Sequence, residues 1–366
     1  MRILVVLSII LVWLFALVNW SGWGFLLHST EKMNWLFLIW AFYWFFVRRR
    51  SFIPKMNPGM IMFFLLLMVF VPFFISGKWH GALYLVSFLT IYCFSNINIT
   101  DKELVVSSLA IGIMGAGLIS IYQSTDILSG WNDNTIAMLT LFSYIYFTIF
   151  FNSAKGKFTR FLCFIVSLIY YVMISKTASR GATLFMIISI VLMLTRNYSK
   201  GVLSKSYIRF FILQAPLIIA LATLWVSAQS WFPAWDTAYQ MKHIKPFFNG
   251  RDELWKEALG YLSDYPLGTG RFVMNYHNSA VACISVFGVL GYLIWVNFFQ
   301  RQLTTMSKYM ADYTVYACLC AFLIIFVQQA TELGFISENP NVVPYMILGL
   351  GLGRVRWYEE RRTLKG

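Results

Sequence analysis

Long apolar runs recur along the whole chain and restrict its fold more than any other feature. A helix needs about 20 apolar residues to cross the roughly 30 Å hydrocarbon core of a bilayer. Charged residues make up 12% of the 366 residues, against roughly 25% in soluble domains. About twelve runs approach the length of a membrane span, at 3–20, 34–47, 59–76, 81–97, 104–124, 135–152, 161–176, 182–195, 209–229, 276–299, 313–330 and 342–353.

These runs predict helices, because backbone groups in lipid must find their hydrogen-bond partners within the same segment. The alternation of apolar and polar residues typical of membrane β-strands does not occur. We therefore predict an all-α polytopic membrane protein with about twelve transmembrane helices. Residues 1–366 would form a single bundle, with one large extracytoplasmic loop at 230–275.

The net charge of +14 follows the predicted topology. Most of the basic residues fall in alternate connections, as the positive-inside rule requires for cytoplasmic loops. Both termini are therefore predicted to be cytoplasmic, with 230–275 on the outer side. We therefore predict that the lipid bilayer, and not nucleic acid, is the partner of these basic residues. The basic groups are Arg48, Arg49, Arg50, Lys155, Lys157, Arg160, Arg196, Lys200, Lys205, Arg209, Arg354, Arg356, Arg361 and Arg362.

Two arginines on the predicted outer side are candidate phosphate ligands, because a guanidinium binds phosphate with two parallel hydrogen bonds. Arg251 opens a predicted helix at 251–264, for which Asn249 is the expected N-cap. The helix N-terminus would add to the attraction for an anion. Arg271, farther along the same loop, is a weaker candidate. An ion pair with a neighbouring acid is the structural alternative for both.

Arg180 and His277 each stand at the outer end of an apolar run. An arginine so close to lipid is costly unless it is paired or functional, although its side chain can also extend to water. Histidine titrates near pH 6.5 and is the usual general base near neutral pH. For His277 the alternative is an interfacial hydrogen-bonding residue.

The remaining candidates have supporting or glycan-binding roles. Polar side chains in outer connections suit sugar hydroxyls, but turns and helix caps use the same residues. The sequence contains no Asp-x-Asp pair on the predicted outer side and no Gly-rich loop ending in Gly-Lys-Ser/Thr. We therefore predict no metal and no cofactor. The candidates for glycan binding or support are Asn132, Asp133, Asn134, Arg271, Asn278 and Glu332.

Several short motifs together resemble the bacterial O-antigen ligase/polymerase family of membrane glycosyltransferases. They occur in the second half of the chain, in the order and outer-side placement that the family shows. The motifs are Ser179-Arg180-Gly181, Gly250-Arg251 with Trp255, Pro266-x-Gly268-x-Gly270, His277-Asn278, and Gly288 with Gly291.

The resemblance implies the fold of multi-span lipid-sugar glycosyltransferases and a position in the bacterial inner membrane. The donor would be an undecaprenyl-diphosphate-linked glycan, used on the periplasmic face. Arg180 and Arg251 would hold its diphosphate, while His277 would activate an acceptor hydroxyl for attack with inversion. The acceptor is a growing repeat-unit chain for a polymerase or lipid A–core for a ligase. A flippase and a chain-length regulator are implied as candidate partners.

We interpret the chain as an O-antigen or capsule polymerase, with the ligase as the sister alternative. A flippase for lipid-linked sugars is the alternative from another class. Transporters place polar groups and broken helices near the bilayer midplane. The charged residues here gather at the predicted outer ends of helices instead, which favours the enzyme.

Overall fold

The computed structural model describes most of the chain, and its regular elements are helices. The predicted runs 34–47 and 59–76, and the candidate Asn132, lie outside the described residues. The described residues are 3–20, 82–97, 99–125, 133–153, 156–177, 179–243, 246–274, 276–332, 335–336 and 341–363.

Each of the other predicted runs falls on a described helix. The helices of the described part are α1 (Ile3–Trp20), α2 (Ala82–Ser95), α3 (Asp101–Ser124), α4 (Asp133–Ser153), α5 (Lys157–Ser175), α6 (Arg180–Leu194), α7 (Arg196–Ser204), α8 (Ser206–Ser227), α9 (Phe232–His243), α10 (Arg251–Gly260), α11 (Ser279–Ser307), α12 (Tyr313–Gln328) and α13 (Val343–Thr363).

Five of these helices, α3, α4, α5, α8 and α11, are long and apolar enough to cross a membrane. A sixth span results if α6 and α7, which meet at a 99° bend, are counted together. The protein is therefore a multi-pass α-helical membrane protein. The described residues do not establish the larger predicted number of spans. The segment between α8 and α11 contains two short helices, α9 and α10, and neither qualifies as a span.

Basic residues predicted to face the cytoplasm gather at one end of the bundle. Arg354 forms an ion pair with Asp312 at 3.0 Å, and the guanidinium of Arg196 lies 3.9 Å from the centre of the Tyr313 ring. Asp312 also caps α12 by accepting hydrogen bonds from the first backbone N–H groups of that helix. This end is opposite to the starts of α6 and α11, where the candidate site residues lie.

Small residues allow α3 and α4 to pack closely. A β-carbon added at Gly115 would lie 2.3 Å from the β-carbon of Ser143 in α4. The hydroxyl groups of Ser107 and Tyr146 meet 3.0 Å apart across the same interface. Close packing and hydrogen bonds between helices hold membrane bundles together, because lipid is as apolar as the side chains.

Helix α11 consists of two unlike halves. Gly288 interrupts it with a non-helical backbone, at φ 72° and ψ 174°. Residues 279–288 before the break are buried throughout, whereas Val289, Leu290 and Leu293 after it are exposed on one side. The second half, residues 289–307, is about 28 Å long at 1.5 Å per residue, but its apolar run ends at Phe299, before Gln300 and Arg301. The candidate span is therefore the whole of α11, and its first half is a core helix enclosed by protein.

The predicted helix at 251–264 is shorter in the structure, and its predicted N-cap is wrong. Helix α10 ends at Gly260, and Gly250 rather than Asn249 caps its start. Both residues have left-handed backbone conformations, with φ of 55° at Asn249 and 76° at Gly250. Two consecutive left-handed residues turn the chain sharply into α10, which a single capping residue does not explain.

The packing of α3 predicts different outcomes for two glycines two positions apart. Gly115→Ala should lower the melting temperature of the purified protein, because the added methyl group would force α3 and α4 apart. We expect a destabilisation of about 1–3 kcal/mol. Gly117 has no atom within 4 Å of an added β-carbon, so Gly117→Ala is the matched control. Thermal unfolding in detergent measures both, and equal melting temperatures would contradict the packing.

Candidate active site at one end of the bundle

The loop before His277 fits into the break in α11. The break frees the carbonyl groups of Ser285 and Val286 from helical hydrogen bonding. The backbone N–H of Thr269 donates to the carbonyl of Ser285 at 2.8 Å, and that of Gly270 donates to Val286 at 3.0 Å. Backbone groups that are buried without helical partners require such hydrogen bonds from elsewhere in the protein. The loop thus stabilises the break.

Only glycine fits where these two segments meet. A β-carbon on Gly268 would lie 2.4 Å from the carbonyl oxygen of Val286. One on Gly288 would lie 2.8 Å from the carbonyl carbon of Leu267. Both glycines also have positive φ, 90° and 72°, which other residues rarely adopt. The contact explains why the Pro266-x-Gly268-x-Gly270 motif and Gly288 occur in one sequence.

Helix α10 holds the backbone next to His277. The indole N–H of the buried Trp255 donates to the carbonyl of Tyr276 at 2.6 Å. The hydroxyl of Tyr276 lies 3.0 Å from that of Ser285 in the first half of α11. His277 itself has φ of 46°, a conformation that persists only when the surrounding structure holds it.

Asn278 joins three parts of the site. Its side-chain oxygen accepts the backbone N–H groups of Ala280 and Val281 and so caps α11. Its amide nitrogen donates to the carbonyls of Pro216 at 2.9 Å and Ala330 at 3.0 Å. The residue is fully buried. Of the two predicted roles, support and glycan contact, this geometry favours support.

Glu332 lies between the predicted base His277 and the predicted diphosphate ligand Arg251. Its carboxylate is 3.4 Å from the Nη2 of Arg251 and 3.9 Å from the Nδ1 of His277. The segment that carries it is tied to the start of α11, because the N–H of Ser279 donates to the carbonyl of Gln329 at 3.0 Å. Residues from α10, α11 and the end of α12 therefore converge.

The His277 ring turns its Nδ1 toward the protein interior. Its Nδ1 is shielded from solvent and has no hydrogen-bond partner among the described residues. The distance of 3.9 Å to Glu332 is within ion-pair range but too long for a hydrogen bond. The side chain is nevertheless 39% exposed, so its exposed surface belongs to other atoms.

Arg180 reaches the same place from α6. A β-carbon on the adjacent Gly181 would lie 3.5 Å from the Oγ1 of Thr331, next to Glu332. The Nη1 of Arg180 donates to the hydroxyl of Tyr239 at 2.5 Å. We call Arg180, Arg251, His277 and Glu332 together the Glu332 cluster.

The Glu332 cluster is electrostatically suited to an anion. Burial lowers the pKa of the Arg251 guanidinium, and the positive charge of Arg180 lowers it further, while Glu332 acts in the opposite direction. The two guanidinium groups are thus close enough to repel each other. The cluster contains only one carboxylate to balance their two positive charges. An anion bound between the arginines would relieve this repulsion.

Other predicted site residues lie elsewhere. Arg271 is exposed, and its charge acts on Tyr261, which follows α10 at the end opposite to Arg251. Asp133 begins α4 and accepts a hydrogen bond from Tyr122 in α3, and Asn134 is exposed beside it. Their predicted roles stay predictions.

Two members of the site were not prominent in the sequence. Glu332 is one of several acids in outer connections, and nothing in its neighbourhood indicates a central position. Tyr239 is separated by 59 residues from Arg180, with which it bonds, and no motif includes it.

Comparison with known proteins adds no identification. No family model, curated protein or solved structure matches the chain. Among the described residues, no group of three His, Cys, Asp or Glu side chains is arranged to hold a metal ion. The functional conclusion therefore depends on the chemistry of the Glu332 cluster and on the resemblance of its motifs.

The fit between the loop and α11 predicts a large difference between two glycine substitutions. Gly268→Ala should destabilise the protein by at least about 2 kcal/mol, because the methyl group meets backbone atoms at a strained φ. Gly260→Ala is the matched control, since an added β-carbon there has no atom within 4 Å. Thermal unfolding of both variants in detergent is the measurement. A Gly268→Ala protein as stable as the control would rule out the close contact.

Proposed function

We propose that the protein is a glycosyltransferase of the bacterial inner membrane. It transfers an undecaprenyl-diphosphate-linked glycan to a saccharide acceptor with inversion, on the outer face, and polymerises O-antigen or capsule repeat units. The observation that carries the proposal is the Glu332 cluster, in which Arg251 and His277 lie beside one carboxylate and the positive charge of Arg180 lies near Arg251.

The arginines suit a diphosphate leaving group. Arg251 is partly buried and Arg180 is exposed, so one anchors the anion while the other remains open to an entering lipid-linked donor. A guanidinium group stays charged at any physiological pH. As the glycosidic bond breaks, negative charge grows on the leaving oxygen, and fixed positive groups stabilise that charge most in the transition state.

His277 suits the role of general base. Its Nε2 would accept the proton of the acceptor hydroxyl while the hydroxyl oxygen bonds to the anomeric carbon. The bond from that carbon to the diphosphate oxygen breaks, and undecaprenyl diphosphate leaves. Glu332, facing Nδ1, stabilises the imidazolium that forms, as carboxylates paired with catalytic histidines do. The donor already stores the required free energy, so no nucleotide is consumed.

The same residues would serve a ligase that joins O-antigen to lipid A–core, because the two reactions differ in the acceptor. A flippase for lipid-linked sugars is the alternative from another class. The position of the Glu332 cluster at helix ends supports the enzyme, since transporters bind substrate near the bilayer midplane.

Loss of either arginine should abolish transfer while leaving the protein folded. Purified full-length protein with undecaprenyl-diphosphate glycan would be assayed for polymer and for released undecaprenyl diphosphate. We expect Arg180→Ala and Arg251→Ala to lose about 100-fold or more in rate. Lysine should restore little, because it lacks the planar fork. Lys256→Ala, an exposed cation on the same helix as Arg251, is the control. Wild-type rates in both arginine variants would refute the proposed clamp.

The roles of His277 and metal can be separated in the same assay. His277→Ala should lose about 10²–10⁴-fold in rate and still bind the donor, because the arginines supply that binding. Since the arginines neutralise the diphosphate in this mechanism, EDTA should leave the wild-type rate unchanged. Inhibition by EDTA with rescue by magnesium or manganese would contradict the arginine-based mechanism. Near-normal turnover by His277→Ala would contradict the role of His277 as the general base.

A further inference from the structure

Helix α9 projects an aromatic surface beside the Glu332 cluster. Phe232 is its buried anchor, whereas Trp235 is 43% exposed and Phe247, in the turn after the helix, is 42% exposed. Large aromatic groups left in contact with solvent are unfavourable, so a contiguous patch usually marks a binding surface. We call Trp235, Tyr239 and Phe247 the aromatic platform.

The three rings of the aromatic platform pack on one another and hold a fixed shape. Trp235 and Tyr239, one helical turn apart, stack with ring centres at 5.5 Å. The ring of Phe247 stands edge-on to both, at 5.1 Å from Trp235 and 5.3 Å from Tyr239. A ligand would therefore meet a surface that is already formed, which reduces the entropy lost on binding.

Polar groups lie at the edge of the aromatic platform. The Asp236 carboxylate accepts the backbone N–H of Phe247 at 2.7 Å and the side-chain amide of Gln240 at 2.8 Å. Asp236 directly follows Trp235 in α9, and Gln240 directly follows Tyr239. Aromatic faces bordered by a few fixed polar groups match a sugar ring, whose C–H face is apolar and whose rim carries hydroxyls.

The aromatic platform is continuous with the Glu332 cluster through one hydrogen bond. The hydroxyl of Tyr239 accepts from the Nη1 of Arg180, the arginine that would contact the donor diphosphate. A sugar on the platform would thus lie next to a phosphate held by Arg180. An acyl chain on the same rings would face a guanidinium and a carboxylate, which lipid solvates poorly.

We propose that the aromatic platform binds the glycan of the lipid-linked donor, by stacking sugar rings on Trp235 and Phe247 while Arg180 holds the diphosphate. The inference rests on the proposed function for the identity of the donor. It adds a subsite that recognises sugars through their apolar faces. The platform would position the first sugars of the donor relative to His277.

Glycan binding can be measured without turnover. The probe is the free oligosaccharide released by mild acid from the cell's own lipid-linked glycans, titrated against full-length protein in nanodiscs and followed by saturation-transfer NMR. We expect Trp235→Ala and Phe247→Ala each to weaken binding by about tenfold, the effect of losing one aromatic contact. Trp225→Ala is the matched control, because Trp225 is 67% exposed on α8 and outside the platform. Tyr239→Phe keeps the ring and tests the link to Arg180.

A second measurement tests whether the bilayer covers this surface instead. An environment-sensitive fluorophore on Lys242→Cys, an exposed position on the same face of α9 as Trp235 and Tyr239, should report a watery surrounding in nanodiscs. Equal glycan affinities in the wild type, Trp235→Ala and Phe247→Ala would overturn the proposal, as would a probe buried in lipid. Platform-dependent glycan binding without transfer from a diphosphate donor would preserve the platform and refute the glycosyltransferase. Transfer from the diphosphate donor without platform-dependent glycan binding would preserve the glycosyltransferase and refute the platform.

Discussion

The need to pair buried backbone polar groups governs the architecture of the site. The break in α11 at Gly288 frees two carbonyl groups, and the loop at 268–270 supplies the N–H groups that pair with them. This pairing fixes the loop against the first half of α11. Because the same loop continues through Tyr276 to His277, the position of the candidate base depends on it. Trp255 and Asn278 hold the intervening backbone from either side.

The electrostatics of the Glu332 cluster follow from that assembly. Three helices and the segment after α12 bring two guanidinium groups, one imidazole and one carboxylate to the same end of the bundle. Burial lowers the pKa of the Arg251 guanidinium, Glu332 raises it, and the positive charge of Arg180 lowers it by a smaller amount. A site with this charge favours an anionic ligand. The paired basic groups at the opposite end, such as Arg354 with Asp312, already have their partners within the protein.

Local patterns in the sequence predicted the helices, but they did not predict which residues of different helices lie together. The apolar runs located the helices, since hydrophobic length is a local property, and the motifs identified Arg180, Arg251 and His277. The position of Glu332 could not be predicted, because it depends on contacts between residues 81 apart in the chain. The N-cap prediction at Asn249 failed because two left-handed residues, rather than one capping side chain, start α10. Asn278 looked like a possible sugar ligand, and only the fold shows that its amide caps a helix.

The most direct test of the central claim is whether α6 and the segment after α12 meet at the Glu332 cluster. A cysteine pair at Gly181→Cys and Thr331→Cys should form a disulfide under mild oxidation, because the corresponding atoms lie 3.5 Å apart. The five native cysteines are buried, and mass spectrometry of the linked peptides identifies the bond. Gly181→Cys with Gly201→Cys, at opposite ends of the bundle, is the control pair. We predict rapid cross-linking of the first pair only. Cross-linking no faster than in the control would contradict the convergence on which the proposed site depends.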